Sequence, residues 1–422
     1  MKRIILSLLR FAARQVLDRY QPEIIGVTGS VGKTSAKRAI AAVLGARMRV
    51  RASEKSYNTE IGLPLAIMDV KSSGRSVVGW FRAAANVFWE LVTHDPDYPD
   101  ILVLEMGADH PGDIAKLVRI ASPRVGVVTA ITPAHTEFLG SLEAVAREKG
   151  TLVRSLPESG IAVLSRDDPR VFILRTETRA RVVTFGLHEE ADVRGSEIRT
   201  TLSAGTSFTL FHAGSAVPVS LPRAVGIPSV LSALAAAAVG IAHDMNLVEI
   251  AESLRAFSPP PSRLSVLSGI KGTTIIDDSY NSSPAALTAA LRVSADAPIS
   301  GRKIAVLGDM LELGAESRDE HRRAGELVAR SGTALLIGVG ARAVDLLAGA
   351  RDAGMSKDHI FHFATAREAG KFLQNTIQPG DLLLVKGSQG VRLERVVVEL
   401  MAEPLRAPEL VCRNDPEWLA RL

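Results

Sequence analysis

The chain of 422 residues has a single cysteine, Cys412. That excludes an internal disulfide and any multi-cysteine metal site, and it fits a reducing compartment. Basic residues exceed acidic ones by four, 50 against 46. An excess so thin and so spread is no footprint for nucleic acid, which needs a clustered basic face. No apolar run approaches the roughly 20 residues of a membrane-spanning helix. Internal repeats, low-complexity tracts and the Asn-Lys-x-Asp segment that reads guanine in a P-loop GTPase are all missing. What remains, 23% charged and 46% hydrophobic residues, is the composition of a soluble globular enzyme of two or three domains.

The first 20 residues place Ile4, Ile5, Leu8, Phe11, Ala12 and Val16 at helical spacing, with Lys2, Arg3, Arg10, Arg14 and Arg19 among them. Arg10 cuts the apolar stretch short and no small-residue cleavage site follows, which argues against a secretory signal and for a cytoplasmic location. The helix either packs on the domain behind it or lies on a membrane surface or partner protein.

Beyond it, strand-like apolar runs alternate with helical patterns, the signature of an α/β fold on a mainly parallel sheet. Runs at 23–28, 101–105, 125–130 and 161–164 read as buried strands, and alternating segments between about 182 and 222 read as a small antiparallel excursion. An alanine-rich helix follows at 230–242. The cluster Pro259-Pro260-Pro261 reads as a stiff linker. After it strands recur at 274–277, 303–307, 334–338, 359–363 and 381–385. The expected organisation is an N-terminal helix (1–20), a central domain (21–258), a C-terminal α/β domain (262–405) and a tail (406–422).

The strongest local motif is GVTGSVGKTS, residues 26–35, between a strand and a helix. Thr28, Gly29, Ser30, Gly32 and Ser35 build a loop whose N–H groups face phosphates. Lys33 neutralises the β- and γ-phosphates, and the Thr34 hydroxyl serves Mg²⁺. Val27 stands where the usual Walker A pattern has its first glycine. Glu105 ends the strand ILVLE on the same sheet edge, where a carboxylate either binds Mg²⁺ or caps the strand end. His135 follows the next strand as a metal ligand or a satisfied structural histidine. Lys149, in AREKGTLV, taken alone reads as a solvated helix lysine.

These segments together resemble the Mur ligase family: TGSVGKTS, YNTEIGLPL (57–65), LEMGADHPGDI (104–114) and AHTEFLGSLEAVAREKG (134–150). The later segments DDSYNSSPAAL (277–287), AVLGDMLELGAESRDEH (305–321) and VKGSQGVRLERVV (385–397) are most similar to its MurF branch, the D-alanyl-D-alanine-adding ligases. The resemblance covers about residues 22–400. It implies a P-loop central domain and a Rossmann-like C-terminal domain. It also implies a reaction in which ATP converts a carboxylate to an acyl phosphate that an amine displaces.

By that resemblance Glu105 and His135 sit at magnesium positions. Lys149 matches a lysine that is carbamylated to support a second Mg²⁺, while Asn58 and Thr59 lie near nucleotide and substrate. Arg263 is the linker arginine that reaches ATP, and Asp278 and Asn281 face the nucleotide. His321 and Lys386 stand near the substrate in the closed site. Asp309 and Glu312 read instead as caps of a turn and helix. The implied partners are a muropeptide or other carboxylate and an amino acid or dipeptide amine. A poly-γ-glutamyl or peptide substrate, or a catalytically reduced nucleotide-binding partner, are the other readings.

Two departures stand out. About 20 residues precede the phosphate-loop strand, too few for the domain with which relatives grip UDP, so use of a UDP-linked precursor is an open expectation. Pro228, Ser229 and Ser232 replace the family's His, Asn and Asn beside the nucleotide base.

Overall fold

The computed structural model describes residues 2–53, 57–70, 95–133, 136–414 and 418. Five of the six residues of β1 (Glu23–Thr28) are buried, as a strand covered on both faces requires. Its side chains alternate between two cores. Ile25 and Val27 pack with helix Lys33–Leu44 and the alanine-rich helix Ile227–Ala242, while Ile24 packs with helix Asp113–Ile120 and the N-terminal helix. Alanine lets the first pair approach closely: Ala233 and residues 235–238 are fully buried, and a Cβ on Gly240 would lie 2.8 Å from Val43 Cγ1.

Among the described residues the sheet has nine strands, in the order β2-β3-β1-β4-β5-β6-β7-β8-β9. The others are β2 (Val50–Ala52), β3 (Ile101–Glu105), β4 (Val125–Val128), β5 (Ile161–Ser165), β6 (Arg181–Gly186), β7 (Val193–Thr201), β8 (Gly205–His212) and β9 (Ser215–Leu221). β1 pairs in parallel with both β3 and β4. The chain therefore leaves β1 toward one side and later returns on the other, and such a switch point opens a crevice at the strands' carboxyl ends. The antiparallel excursion, β7 to β9, extends this same sheet beyond β6.

The second sheet has the order β10-β11-β15-β12-β13-β14, with β10 (Ser265–Ser268), β11 (Thr274–Asp278), β12 (Lys303–Gly308), β13 (Leu335–Val339), β14 (Ile360–Phe363) and β15 (Leu382–Lys386). All pairs are parallel except the edge pair β10–β11. The sequence reading missed β10, whose short run SVLS carries no buried face. It also started the alanine-rich helix at residue 230, three residues late, because Pro228 sits in the first turn where proline is tolerated.

The N-terminal helix, Lys2–Tyr20, packs on the domain behind it. Ala13 and Val16 are fully buried, Arg14 Nη2 donates to Arg119 O at 3.0 Å, and Arg10 pairs with Glu60. Leu8 and Phe11 face outward, each 63% exposed. No helix among the described residues is long and apolar enough to cross a membrane.

Candidate active site

The phosphate loop is shaped by one position. Gly29 adopts φ 147°, and a Cβ there would lie 2.0 Å from Thr129 Oγ1, so no other residue fits. Ser30 anchors the loop to the chain after β4: its N–H donates to Ala130 O at 2.7 Å, and its hydroxyl joins Thr132 O at 3.0 Å and Thr132 N at 3.1 Å. Gly32, at φ 85°, opens helix Lys33–Leu44. Lys33 Nζ donates to Gly29 O at 2.7 Å and Ser30 O at 3.2 Å, and burial holds its pKa below the ordinary lysine value. Ser30, Gly32, Lys33, Thr34 and Ser35 line a cavity of about 1580 Å³. Thr28 does not. It is fully buried and donates to Met106 O at 2.8 Å, so it fixes the strand end rather than touching a ligand.

Register places Glu105 opposite Val27, beside the loop. Its carboxylate is 2% exposed. Asn58 Nδ2 donates to Oε1 at 3.0 Å, and the Asn58 carbonyl takes the Gly107 N–H at 3.0 Å. Oε2 is buried without a hydrogen-bond partner among the described residues. The cation nearest to it is Lys37, with Nζ 3.8 Å away. The sequence reading missed Lys37, one turn beyond Lys33 on the buried side of the helix. It is fully buried and donates to Ser53 O at 2.7 Å and Ser53 Oγ at 2.9 Å. Burial brings its pKa down to about 8 against the opposing pull of Glu105.

Lys149 is no solvated lysine. It is 1% exposed on helix Leu142–Arg154. Burial first, and the Lys33 charge second, lower its pKa to about 7. Its neighbour Glu148 caps helix Asp113–Ile120, accepting Gly112 N and Ile114 N at 2.8 Å each. His135 lies outside the described residues. Thr59 lines the cavity with Asn58, its hydroxyl accepting Gly62 N at 3.2 Å.

The facing wall comes from the linker and the second sheet. Arg263 Nη2 donates to Thr34 Oγ1 at 3.1 Å and its guanidinium lies 4.2 Å from the Tyr280 ring centroid. Arg263 Nε is buried without a hydrogen-bond partner among the described residues. Lys386, 2% exposed, donates to Asp278 Oδ2 at 2.6 Å and to Asn281 O at 2.8 Å, and all three line the cavity. Pro228, Ser229 and Ser232 do so as well, but both serine hydroxyls are spent on backbone carbonyls, Val225 O and Pro228 O at 2.9 Å.

Two further expectations are corrected. His321 is not a substrate contact: it is fully buried, Met310 N donates to its Nε2 at 2.9 Å, and its Nδ1 donates to Ser317 O at 2.6 Å. Both ring nitrogens are used to hold the turn after β12. Asp309 is a cap, accepting Arg342 N at 3.0 Å and Ala343 N at 2.8 Å, but Glu312 is not. It stands on the cavity wall at φ 65°, its carbonyl taking Glu137 N at 3.3 Å.

The donor set fits a magnesium ion. A buried carboxylate oxygen lacking a hydrogen-bond partner and a threonine hydroxyl on one cavity are hard oxygen donors. Mg²⁺ takes few protein ligands because water and phosphates complete its shell.

A phosphate loop at a sheet's switch point, a buried carboxylate beside it and an arginine reaching over from the linker to a second α/β sheet define a P-loop nucleotide-dependent enzyme. Residues 87–240 match the Mur ligase middle domain and residues 262–389 the Mur ligase, glutamate ligase domain. The UDP-N-acetylmuramoyl-tripeptide–D-alanyl-D-alanine ligase of Mycobacterium tuberculosis is 35% identical over 399 residues, 90% of this chain and 73% of its own. The enzyme of that name from Bacillus subtilis is 29% identical over 400 residues, 95% and 80%. Among solved structures, MurF ligase from Thermotoga maritima in complex with ADP superposes with a TM-score of 0.76 at 28% identity, covering 93% of this chain and 82% of its own. This chain belongs to the Mur ligase family. It is an ATP-dependent, ADP-forming ligase with the α/β fold the sequence implied.

Proposed function

We propose that this ligase joins the terminal carboxylate of a muropeptide to the amine of D-alanyl-D-alanine, in cytoplasmic synthesis of a peptidoglycan precursor. The relatives' names support the substrates. The observation that carries the site is Glu105, buried at the phosphate loop with one carboxylate oxygen lacking a hydrogen-bond partner.

ATP lays its phosphates over the N–H groups of residues 30–35, where the helix start favours anions. Lys33 exchanges two loop carbonyls for phosphate oxygens, a charge-assisted and stronger bond. Thr34 and Glu105 would hold one Mg²⁺, and His135 with a carbamylated Lys149 would hold a second. When bound, the metal neutralises the phosphate charge that gathers during transfer. Arg263 approaches the phosphates from the linker, and Asp278 and Asn281 border the nucleotide. Thr59 and Lys386 orient the carboxylate for attack on the γ-phosphorus, which releases ADP. The amine then displaces phosphate from the acyl phosphate to leave the amide.

We read residues 21–258 as the ATP-binding domain and 262–405 as the domain that closes on it. Leu8 and Phe11 give the N-terminal helix an outward apolar face beside Arg10, suited to a membrane surface or a protein partner. The test of the reaction is ADP release with UDP-N-acetylmuramoyl-tripeptide and a panel of amines. Turnover requires D-alanyl-D-alanine on this reading. Faster turnover with glutamate or with a single amino acid overturns it.

A further inference from the structure

Arg263 is held from behind by residues 412 and 413, far along the chain. Its two neighbours, Ser262 and Leu264, both adopt left-handed backbone at φ 60° and φ 55°, a conformation that L side chains keep only when surrounding bonds determine it. Those bonds are present. Leu264 N donates to Asp278 Oδ1 at 3.2 Å, Tyr280 N to Ser262 O at 3.2 Å, and the Ser262 hydroxyl to buried Asp277 at 2.7 Å. That hydroxyl also accepts the backbone N–H of Cys412 at 3.0 Å, 150 residues along the chain.

Arg413 completes the arrangement. It is 7% exposed, itself left-handed at φ 57°, and its guanidinium lies 4.9 Å from the centroid of the same Tyr280 ring that carries Arg263. Its Nη2 donates to Tyr280 O, and its Nη1 faces Glu394 Oε2 at 3.4 Å. Two guanidinium ions on one ring repel, and Glu394, 1% exposed and also paired with Arg392, offsets the charge on the Arg413 side. The ring is therefore shared by a fixed cation and a cation aimed at Thr34.

We infer that residues 412 and 413 are a positioning strap: through the Ser262 hydroxyl and the Tyr280 ring they set the direction in which Arg263 meets the nucleotide phosphates. An arginine side chain left to itself loses much rotamer freedom when it binds a ligand. The strap removes that freedom before ATP arrives, so its worth appears as nucleotide affinity. The inference rests on the reading of Arg263 as an ATP contact, and the experiment separates the two.

The measurement is calorimetric binding of the magnesium complex of a non-hydrolysable ATP analogue to full-length protein. The set comprises wild type, Arg413→Ala, Arg263→Ala and the double variant. Arg413→Ala is expected to weaken binding about tenfold, about 1.4 kcal/mol, and to add nothing once Arg263 is gone. A strap that merely fastens the tail gives losses that multiply in the double variant instead. Because Arg413→Ala leaves buried Glu394 short of one partner, Tyr280→Leu supplies a second arm. It should also weaken binding, and Tyr280→Phe, which keeps the ring face, should recover most of the loss. Wild-type binding by Arg413→Ala, multiplying losses, or equal weakening by Leu and Phe at position 280 overturns the strap. Wild-type binding by Arg263→Ala instead overturns the ATP contact on which it rests.

Discussion

Replacing Lys149 by methionine separates two consequences of burying an amine. The side chain is 1% exposed. Burial, reinforced by the charge of Lys33 and opposed by Asp109 and Glu148, brings its pKa to about 7 from the ordinary 10.5. At pH 7 an ordinary lysine is neutral about once in 3000, and one titrating near 7 about half the time. Only the neutral amine adds CO₂, so the reactive population rises by about a thousandfold. Protonation reverses this, so activity that depends on the carbamate falls as pH drops through about 7. Wild type in CO₂-depleted buffer should lose turnover and regain it with bicarbonate. Lys149→Met should run at least about 100-fold slower, and Lys149→Ala should recover partly with formate or acetate. Stability responds to the substitution in the opposite sense to activity. The unfolded chain keeps this proton up to about 10.5 and the folded chain releases it near 7, so wild-type stability rises with pH across that window. Methionine fills the space without a charge to desolvate. In CO₂- and Mg²⁺-free buffer at pH 7 the variant should be more stable by about 1–2 kcal/mol, a Tm rise of about 2–6 °C. Carbon-13 NMR with labelled bicarbonate reads the carbamate directly. Wild-type turnover by Lys149→Met, with no response to bicarbonate, refutes the reasoning.

Glu105→Gln should cut ADP formation at least about 100-fold with the fold intact by circular dichroism. It should also lower the pKa of Lys37 further below about 8, because the carboxylate 3.8 Å away is the group that raises it; near-normal turnover would remove Glu105 from the metal site. His321→Ala leaves the buried Met310 N–H without its acceptor and should cost about 1–3 kcal/mol of stability while KM for both substrates stays unchanged. A raised KM at unchanged Tm would return His321 to the substrate contacts. Leu8→Glu with Phe11→Glu should reduce cosedimentation with anionic phospholipid vesicles severalfold without changing Tm, since both side chains are 63% exposed; a wild type that ignores vesicles would leave this helix face to a protein partner.

Much of the fold could be read from the sequence because the parallel strands are buried on both faces and appear as continuous apolar runs. Strand β3, ILVLE, is buried throughout, and its terminal glutamate stands out for being polar. The edge strands β2 and β10 have no such run, and their pairing is set by neighbours rather than by their own residues. The site divides in the same way. Lys33 and Thr34 were legible because a loop that cradles phosphate imposes spacing. Lys37 was not, because a lysine one turn further looks solvated until tertiary packing covers it. His321 was misread for the opposite reason: a histidine in a family motif looks functional, yet its ring serves two backbone groups. Residues 412 and 413 carry no local signal, since their partners Ser262 and Tyr280 lie more than 130 residues earlier.

The cations in and around the phosphate loop are each engaged with neutral oxygen atoms. Lys33 holds two loop carbonyls and Arg263 holds the Thr34 hydroxyl, while Lys37 holds both oxygens of Ser53. Phosphate therefore replaces the neutral acceptors of Lys33 with charged ones at a position where the donor already stands, and little rearrangement opposes binding. Arg263 is the exception. It occupies the hydroxyl that the magnesium site needs, so metal entry requires its guanidinium end alone to turn from Thr34 toward the phosphates, on a stem the strap keeps in place. Its buried Nε, which has no hydrogen-bond partner among the described residues, is the donor that turn can put to use. On this argument the linker arginine couples metal loading to nucleotide loading. Removing it should weaken nucleotide binding more in the presence of Mg²⁺ than in its absence. An equal loss under both conditions would separate the linker from the metal.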